Sequence, residues 1–473
     1  MVLISIMCTQ ASAVTFLSGP GQAYTDGMRF VQYYFGLPIA MLVIAFVFLP
    51  LYKKNNLISV YGFLEKRFNK KTSLFTSFLF LLSRGVSTGI SIYAPAIVLS
   101  SILHWDIFYT NIIMGGLLII YTAKGGAKAV AYTQNVQFSI ILISMVICGF
   151  YIFYPLPTYF KLKNVIDYAQ INHKMNIITT GFTDGYFNWK DKYNLFSGII
   201  GGFFLALSYF GTDQSQVGRY LIGNKLKESQ LSLLLNGFIK IPMQMGILFI
   251  GILLFCFYQS TNNRIFFNET VEKNALNTNY NAQLLHWKDS FNTTQKNQQE
   301  MLRLYFNGDK TLKDSIYKSN EKLKQYQTQY KGIIKNAVPL QENNDSNYIF
   351  IHYVLNYLPT GLVGLLIAVL FLAAWGSISA ALNSLATCSV IDFHLPYSKN
   401  VDLINPANQF KLAQIYTIFW GIFAIFIAQI SNKLGSLIEA VNVLGSLFYG
   451  VILGIFLVAF FCKKIKGTAV FYA

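Results

Sequence analysis

Ten apolar runs, near 1–24, 28–52, 73–101, 106–123, 130–155, 193–212, 227–258, 360–392, 408–430 and 435–462, divide this chain. Wound as helices at about 1.5 Å per residue, such runs cross a hydrocarbon layer of roughly 30 Å. Lipid offers no water to a bare peptide group, so a crossing segment must satisfy its own backbone hydrogen bonds. The expected fold class is therefore all-α, a polytopic membrane protein. With 54% hydrophobic, 16% aromatic and only 12% charged residues, the composition points away from a soluble enzyme.

The formal net charge of +17 invites a nucleic-acid reading. Lys and Arg, however, sit in short clusters between apolar runs, as in Lys53-Lys54, Lys66-Arg67, Lys70-Lys71 and Lys463-Lys464. That is the pattern of cytoplasmic anchors, not of a phosphate-binding face, so the lipid bilayer and no nucleic acid is the expected surrounding. The five cysteines fall in apolar segments at irregular spacing, giving neither a disulfide framework nor a zinc cage. The histidines are dispersed and no HExxH, GxSxG, Walker or GxGxxG arrangement occurs, so no enzyme is expected.

Placing the N-terminus in the cytoplasm and alternating from there puts every short basic cluster on one side. Lys124 and Lys128, Arg219, Lys225 and Lys227, Lys399, and Lys466 join the clusters above on that inner face. The expected location is the cell (inner) membrane, multi-pass. Ala11-Ser12-Ala13 resembles a signal-peptide cleavage site, but no basic region precedes it and apolar sequence follows. Helix one then runs outward and helix six inward, the relation of an inverted repeat of two five-helix bundles. The expected division is 1–155 for the first repeat, 156–192 for an extracytoplasmic loop and 193–462 for the second repeat. The second repeat holds a hydrophilic extracytoplasmic insert at 259–347, and 463–473 forms the cytoplasmic end and the start of a truncated following helix. In the insert Leu323, Tyr326, Tyr330 and Ile333 repeat at helical spacing, which predicts a small helical cap.

Corresponding interruptions support the repeat: Gln10 to Gly21 in the first helix, and Gly201-Gly202 to Gly211 in the sixth. Broken membrane helices expose backbone groups to an ion or a solute. Gln10, Ser12 and Thr15 project polar groups from the first break, and Tyr209 stands at the second. Another face, in AAWGSISAALNSLATCSVID, carries Ser377, Ser379, Asn383, Ser384, Thr387 and Ser389. Such hydroxyls either ligate a dehydrated alkali cation or bond back to their own helix, and small residues there also let helices pack closely. Lys240 lies roughly 20 Å from the cytoplasmic Lys227, near the midplane, and needs a solute oxygen, a carbonyl freed by Pro242 or a carboxylate as partner. Asp213 is expected to pair with Arg219 or Arg84.

Four motifs carry a family resemblance over nearly the whole chain. YTAKGGAKAVAYTQNVQ (Tyr121–Gln137), SYFGTDQSQVGRYL (Ser208–Leu221), GLLIAVLFLAAWGSISAALNSLAT (Gly364–Thr387) and IEAVNVLGSLFYG (Ile438–Gly450) occur in order. They are similar to segments at the fifth, sixth, eighth and tenth helices of the sodium:solute symporter family, whose leucine-transporter type fold moves a solute inward with sodium. The sequence reads as that core without its flanking terminal helices. The resemblance implies a sodium ion between helices one and eight, held by backbone oxygens of Cys8, Ala11 and Ala373 and by the Ser377 hydroxyl. The family usually has two adjacent hydroxyl residues there, whereas this chain has Gly376 before Ser377. Tyr209 matches an aromatic residue shielding the solute from the cytoplasm, and Lys240 a solute-contacting lysine. Gln134 stands where the family typically has an acid on the sodium exit path, so Gln134 and Asp213 are the ion-path candidates.

The expected function is thus a sodium-coupled symporter importing a small organic solute by alternating access, with Na+ as the co-transported ion. SAVTFLSGPGQAY and the deep Lys240 favour an anionic, monocarboxylate- or vitamin-like solute. A sugar or amino-acid symporter, or a solute sensor built on the same core, is the alternative.

Overall fold

The computed structural model describes residues 2–10, 12–55, 57, 59–183, 185–221, 225–261, 263–398, 405–431 and 436–472, with backbone alone at 2, 125–135, 137, 183 and 406. It is all-α apart from one short ladder pairing Phe182–Thr183 with Tyr186–Phe187. Seven helices are long and apolar enough to cross a membrane, and Phe138–Phe153 and Ser197–Thr212 are shorter apolar helices. Large apolar side chains such as Val146, Phe150, Ile422 and Phe426 stand exposed along their flanks, as a lipid-facing surface requires.

Span 1 is two helices, Val2–Gln10 and Ala13–Asp26. Span 2 runs from Leu37–Val43 through a π turn at Ile44–Phe48 into Leu49–Lys54. A short helix, Tyr61–Arg67, leads into span 3, Lys70–Leu103. Span 6 is a π turn, Ser197–Gly201, followed by Gly202–Thr212, and after Asp213 the chain resumes as Gln214–Leu221. Span 7 is Leu226–Ser260, span 8 is Thr360–Cys388 with the π turn Ser389–His394, span 9 is Pro406–Ile430 and span 10 is Leu437–Phe461. Spans 1 and 6, each interrupted, lead two sets of five that run in opposite directions, so the fold is the inverted repeat. Gly21 of span 1 meets Ser346 beside the insert, whereas Gly211 of span 6 meets Phe48 of span 2 at the opposite end.

One expectation about the spans gains detail and another needs correction. Segments 106–123 and 130–155, expected as separate spans, both fall within the helical stretch Ile107–Phe153 of 47 residues. At about 1.5 Å per residue it is more than twice the length of a crossing. Its contacts show how it fits. Asn111 Nδ2 donates to Gln429 Oε1 at 3.1 Å near the end of span 9, Ala123 O accepts from Gln414 Nε2 at 2.8 Å near the start of span 9, and Tyr151 O accepts from Tyr353 Oη at 2.9 Å on the insert side. The run therefore crosses, reverses and crosses back as spans 4 and 5.

The correction concerns the breaks. Span 6 is helical through Gly201-Gly202 and Gly211, and it breaks at Asp213, whose backbone is extended (φ −79°, ψ 118°). The glycines serve packing instead: a Cβ at Gly202 would stand 2.5 Å from the Tyr33 carbonyl oxygen, and one at Gly211 2.7 Å from Phe48. In span 1 one helix ends at Gln10 and the next begins at Ala13, with Ser12 extended (φ −82°, ψ 174°), and Gly19-Pro20-Gly21 is helical.

The insert is built on two long helices, Asn281–Phe306 and Lys313–Ala337. Leu284, Phe291, Leu323, Tyr330 and Ile334 form a core of its own there. Tyr168 and Asn172, from the loop after span 5, dock that hairpin: Tyr168 Oη donates to Asn320 Oδ1 at 3.2 Å and Asn320 Nδ2 donates to Asn172 Oδ1 at 2.5 Å. At the opposite end Arg67 donates to the carbonyls of Cys462 at 3.0 Å and Lys463 at 2.9 Å, drawing the basic clusters of the chain together.

Candidate functional site

A cavity of about 140 Å³ lies among the broken spans 1 and 6 and spans 2, 3, 8 and 10. Span 1 contributes Thr9, Gln10, Ser12 and Thr15 on both sides of its interruption. The interruption explains why these residues face inward together: Ser12 is extended, so the polar side chains before and after it leave the regular helical spiral. Among the described residues Gln10 Oε1 is buried without a hydrogen-bond partner, a polar atom that a bound ion, water or solute would satisfy.

Span 3 supplies the cavity's cation. Arg84, with Ser87, Thr88 and Ser91, lines one wall at spacings of three and four residues, a single helix face. Arg84 Nη1 lies 3.7 Å from Asp213 Oδ2, and both side chains are buried. That separation is an ion pair without a hydrogen bond, and Arg84 Nε has no partner. Asp213 Oδ1 accepts from the Ser215 amide at 2.8 Å and the Ser215 hydroxyl at 2.6 Å, which holds the carboxylate at the break in span 6. Arg84 thus stands in the cavity wall with Asp213 as its counter-charge. Of the two partners expected for Asp213, the structure selects Arg84.

Tyr209 lines the cavity four residues before the break, its hydroxyl accepting from Gln216 Nε2 at 2.6 Å. The Arg84 guanidinium stands 5.8 Å from its ring centroid, and Tyr449 of span 10 tilts against it at 6.1 Å. Tyr33, Tyr34 and Leu37 complete the wall from the second-span side. The cavity is therefore aromatic on one side, hydroxyl-rich on another, and positive at Arg84.

Ser377 is the member of the oxygen-bearing face of span 8 that lines the cavity. Its hydroxyl lies 3.1 Å from the carbonyl oxygens of both Ala373 and Ala374. The rest of that face takes the blander role. Ser384 bonds to Ala380 O at 2.9 Å, Thr387 to Asn383 O at 2.8 Å, Ser379 to Thr122 Oγ1 at 2.7 Å, and Ser389 accepts from Trp420 Nε1 at 2.9 Å. These bonds satisfy hydroxyls inside the bundle, and none of these side chains lines the cavity.

The sequence candidates divide accordingly. Gln10, Ser12, Thr15, Tyr209 and Ser377 meet in one cavity, with Ala373 directly behind Ser377. Cys8 and Gly376 are buried beside it and supply no atom to its wall. Ala11 and the side chain of Gln134 lie outside what the structure describes. Lys240 is buried and does not line this cavity, its ammonium lying 5.4 Å from the centroid of Tyr34, which does. Arg84 is the cation in the cavity wall among the described residues. The spacing of Arg84, Ser87, Thr88 and Ser91 in an apolar run was the signal for this wall.

The family model described as "SSF: Sodium:solute symporter family" matches residues 1–285 and 324–473. The sodium/sialic acid symporter NanT of Aliivibrio fischeri is 26% identical over 98% of this chain and 76% of its own length. The human sodium/iodide cotransporter is 29% identical over 54% of this chain and 38% of its own length. The human sodium-coupled monocarboxylate transporter 1 is 30% identical over 50% of the chain and 37% of its own. Among solved structures, the substrate-bound outward-open state of a Na+-coupled sialic acid symporter superposes with a TM-score of 0.71 at 21% identity, covering 99% of this chain and 79% of that one.

Proposed function

Because this chain belongs to the sodium:solute symporter family, we propose that its central cavity binds a small anionic organic solute, which sodium drives inward by alternating access. The observation that carries this reading is Arg84 in the cavity wall: a buried guanidinium 3.7 Å from the one carboxylate that pairs with it among the described residues. A planar, always-charged fork suits a carboxylate, and a carboxylated solute entering the cavity competes with Asp213 for it. The relatives are named for sialic acid, iodide and monocarboxylates, all anions, which supports the same class.

Sodium enters as cargo. Its proposed ligands are the Ser377 hydroxyl and the backbone oxygens of Cys8, Ala11 and Ala373, where spans 1 and 8 pack together; Gly376 leaves that set one side-chain oxygen short. Bound sodium places a positive charge beside the polar residues of the span 1 break and pre-orders them for the solute. The tyrosines Tyr209 and Tyr449 then form the floor, and Gln134 and Asp213 flank the route of release. Each sodium moved inward carries about 2.3 kcal/mol per 100 mV of membrane potential, roughly fortyfold in accumulation. The insert lies outside the cell in this reading and the basic clusters lie in the cytoplasm of an inner-membrane protein.

Reconstitution into proteoliposomes tests it. A panel of radiolabelled monocarboxylates, sialic acids and neutral sugars is offered with and without an inward sodium gradient. Sodium-dependent accumulation of a carboxylated member and exclusion of the sugars is the expected result. Accumulation of a sugar alone would overturn the anionic assignment, and binding without accumulation would favour a sensor.

A further inference from the structure

Segment 342–348, which joins the insert to the helix Ile349–Tyr357, lies across the insert-side ends of three spans that wall the cavity. The Ser346 carbonyl meets Gly21 of span 1 so closely that a Cβ there would stand 1.9 Å from its oxygen. Asn347 Oδ1 accepts from the Leu437 amide, the first of span 10, at 3.3 Å. Glu342 Oε2 accepts from Tyr93 Oη of span 3 at 2.8 Å. Each anchor sits just outward of a cavity residue on its own span: Gly21 beyond Thr15, Leu437 before Ile438, Tyr93 beyond Ser91.

Glu342 is 4% exposed, and no cation among the described residues forms an ion pair with it. It is faced by Tyr93 from span 3 and by Asn347, Tyr348 and Asp345 from its own segment. The Asp345 carboxylate is itself engaged by Lys331 of the insert and by the Phe267 amide at 2.8 Å. Burial pushes the Glu342 carboxyl up to about 8, while its hydrogen bonds from Tyr93, Tyr348 and Asn347 restrain the rise and the Asp345 charge adds to it.

We propose that segment 342–348 is a proton-latched lid over the insert-side mouth of the cavity, docked while Glu342 is protonated and released as it ionises. The role as a lid rests on the reading of the cavity as the solute site. The sign follows from linkage. A carboxyl whose docked value lies above its ordinary one favours docking fully in acid, below the ordinary carboxylate range. The contribution is lost as pH rises from there through about 8. In the docked state a carboxylate would be sealed among phenols with no counter-charge, so ionisation and release go together.

Hydrogen exchange of segment 342–348 in the full chain, held in lipid nanodiscs with sodium and no solute, tests this without a transport assay. After correction for intrinsic exchange, protection at pH 6 should exceed that at pH 9 by at least tenfold. Glu342→Gln, neutral at both values, should keep its pH 6 protection at pH 9. Tyr93→Phe removes a donor that favours the carboxylate, so its midpoint should move to higher pH. Equal wild-type protection at both pH values, an unchanged pH response in Glu342→Gln, or an unmoved midpoint in Tyr93→Phe would each overturn the latch. A failure to accumulate any anionic solute would leave these exchange results as they are and would count against the transport reading instead.

Discussion

Tyr61 Oη donates to the Thr212 carbonyl at 2.9 Å, and Tyr52 and Tyr220 do the same for the carbonyls of Gly211 at 2.7 Å and Phe210 at 2.8 Å. A helix that stops at Thr212 leaves its last carbonyls without amide donors, and in a membrane no water replaces them. Three phenols supply the missing bonds. Tyr61 also ties the break to span 3, because its own carbonyl accepts from Ser73 Oγ at 2.7 Å. Ser59, two residues earlier, donates to Asp392 of span 8 at 3.0 Å, and Ser77 of span 3 donates to the same carboxylate at 2.6 Å.

Tyr61→Phe removes one donor and strands a buried carbonyl. The expected loss is about 1–3 kcal/mol of stability. Denaturant unfolding of the purified protein in mild detergent measures it. Tyr472→Phe, at an exposed position, should leave the midpoint unchanged.

Arg84→Gln should lower uptake of carboxylated solutes at least tenfold while leaving the sodium response of residual uptake in place, since the guanidinium is proposed to meet the solute and not the ion. Asp213→Asn has a different expected outcome. It leaves Arg84 buried without its counter-charge, which costs on the order of 3–5 kcal/mol. Thermal unfolding with and without a carboxylated solute separates the two, because an anion in the cavity should restore part of the stability lost by Asp213→Asn.

The spans were legible because hydrocarbon thickness sets a length that apolar runs either meet or miss. The breaks were less so. Glycine marks a broken helix and a tightly packed one alike, and only the neighbours, Tyr33 and Phe48 for Gly202 and Gly211, show which role applies. Extended Asp213 carries no such mark. Deep charge is ambiguous for a related reason: Lys240 and Arg84 are both buried, and the sequence does not say which of them lines the cavity. Ser377 was singled out from a face of six polar residues only through resemblance, since hydroxyls bonded to their own helix and hydroxyls aimed at a cavity have the same sequence. The tyrosine donors and the Ser59–Ser77–Asp392 cluster join residues far apart in the chain, which periodicity does not reveal.

Ser377→Ala should raise the half-saturating sodium concentration about tenfold, the equivalent of about 1.4 kcal/mol for one lost oxygen ligand. Gly376→Ser restores the adjacent hydroxyl that the chain lacks, and half-saturation should fall. Sodium titration of tryptophan fluorescence follows both, since Trp375 lies next to the site in sequence. An unchanged sodium response in both variants would remove this pair from the ion site.

His352 sits outside the spans, 6% exposed, with Tyr258 Oη at 2.6 Å from one ring nitrogen and Arg264 Nη1 at 2.8 Å from the other. Burial, reinforced by the Arg264 charge, pulls its imidazole down to about 4, well under the ordinary value of 6.5. A folded base that titrates below its unfolded value binds fewer protons than the unfolded chain across that window. Its contribution to stability is therefore present above 6.5 and lost as pH falls from there toward about 4, by at most about 1.4 kcal/mol per pH unit. Arg264 also holds Glu269 at 2.5 Å and Glu272 at 3.3 Å, so protonating His352 would set two cations against each other where the insert joins span 7. Acidification from pH 7 to pH 5 should lower the melting temperature of the wild type, and His352→Gln, which cannot take up the proton, should lose the part of that drop that His352 causes. An equal drop in both proteins would show that the imidazole does not titrate against Arg264 and that the acid sensitivity of the insert lies elsewhere.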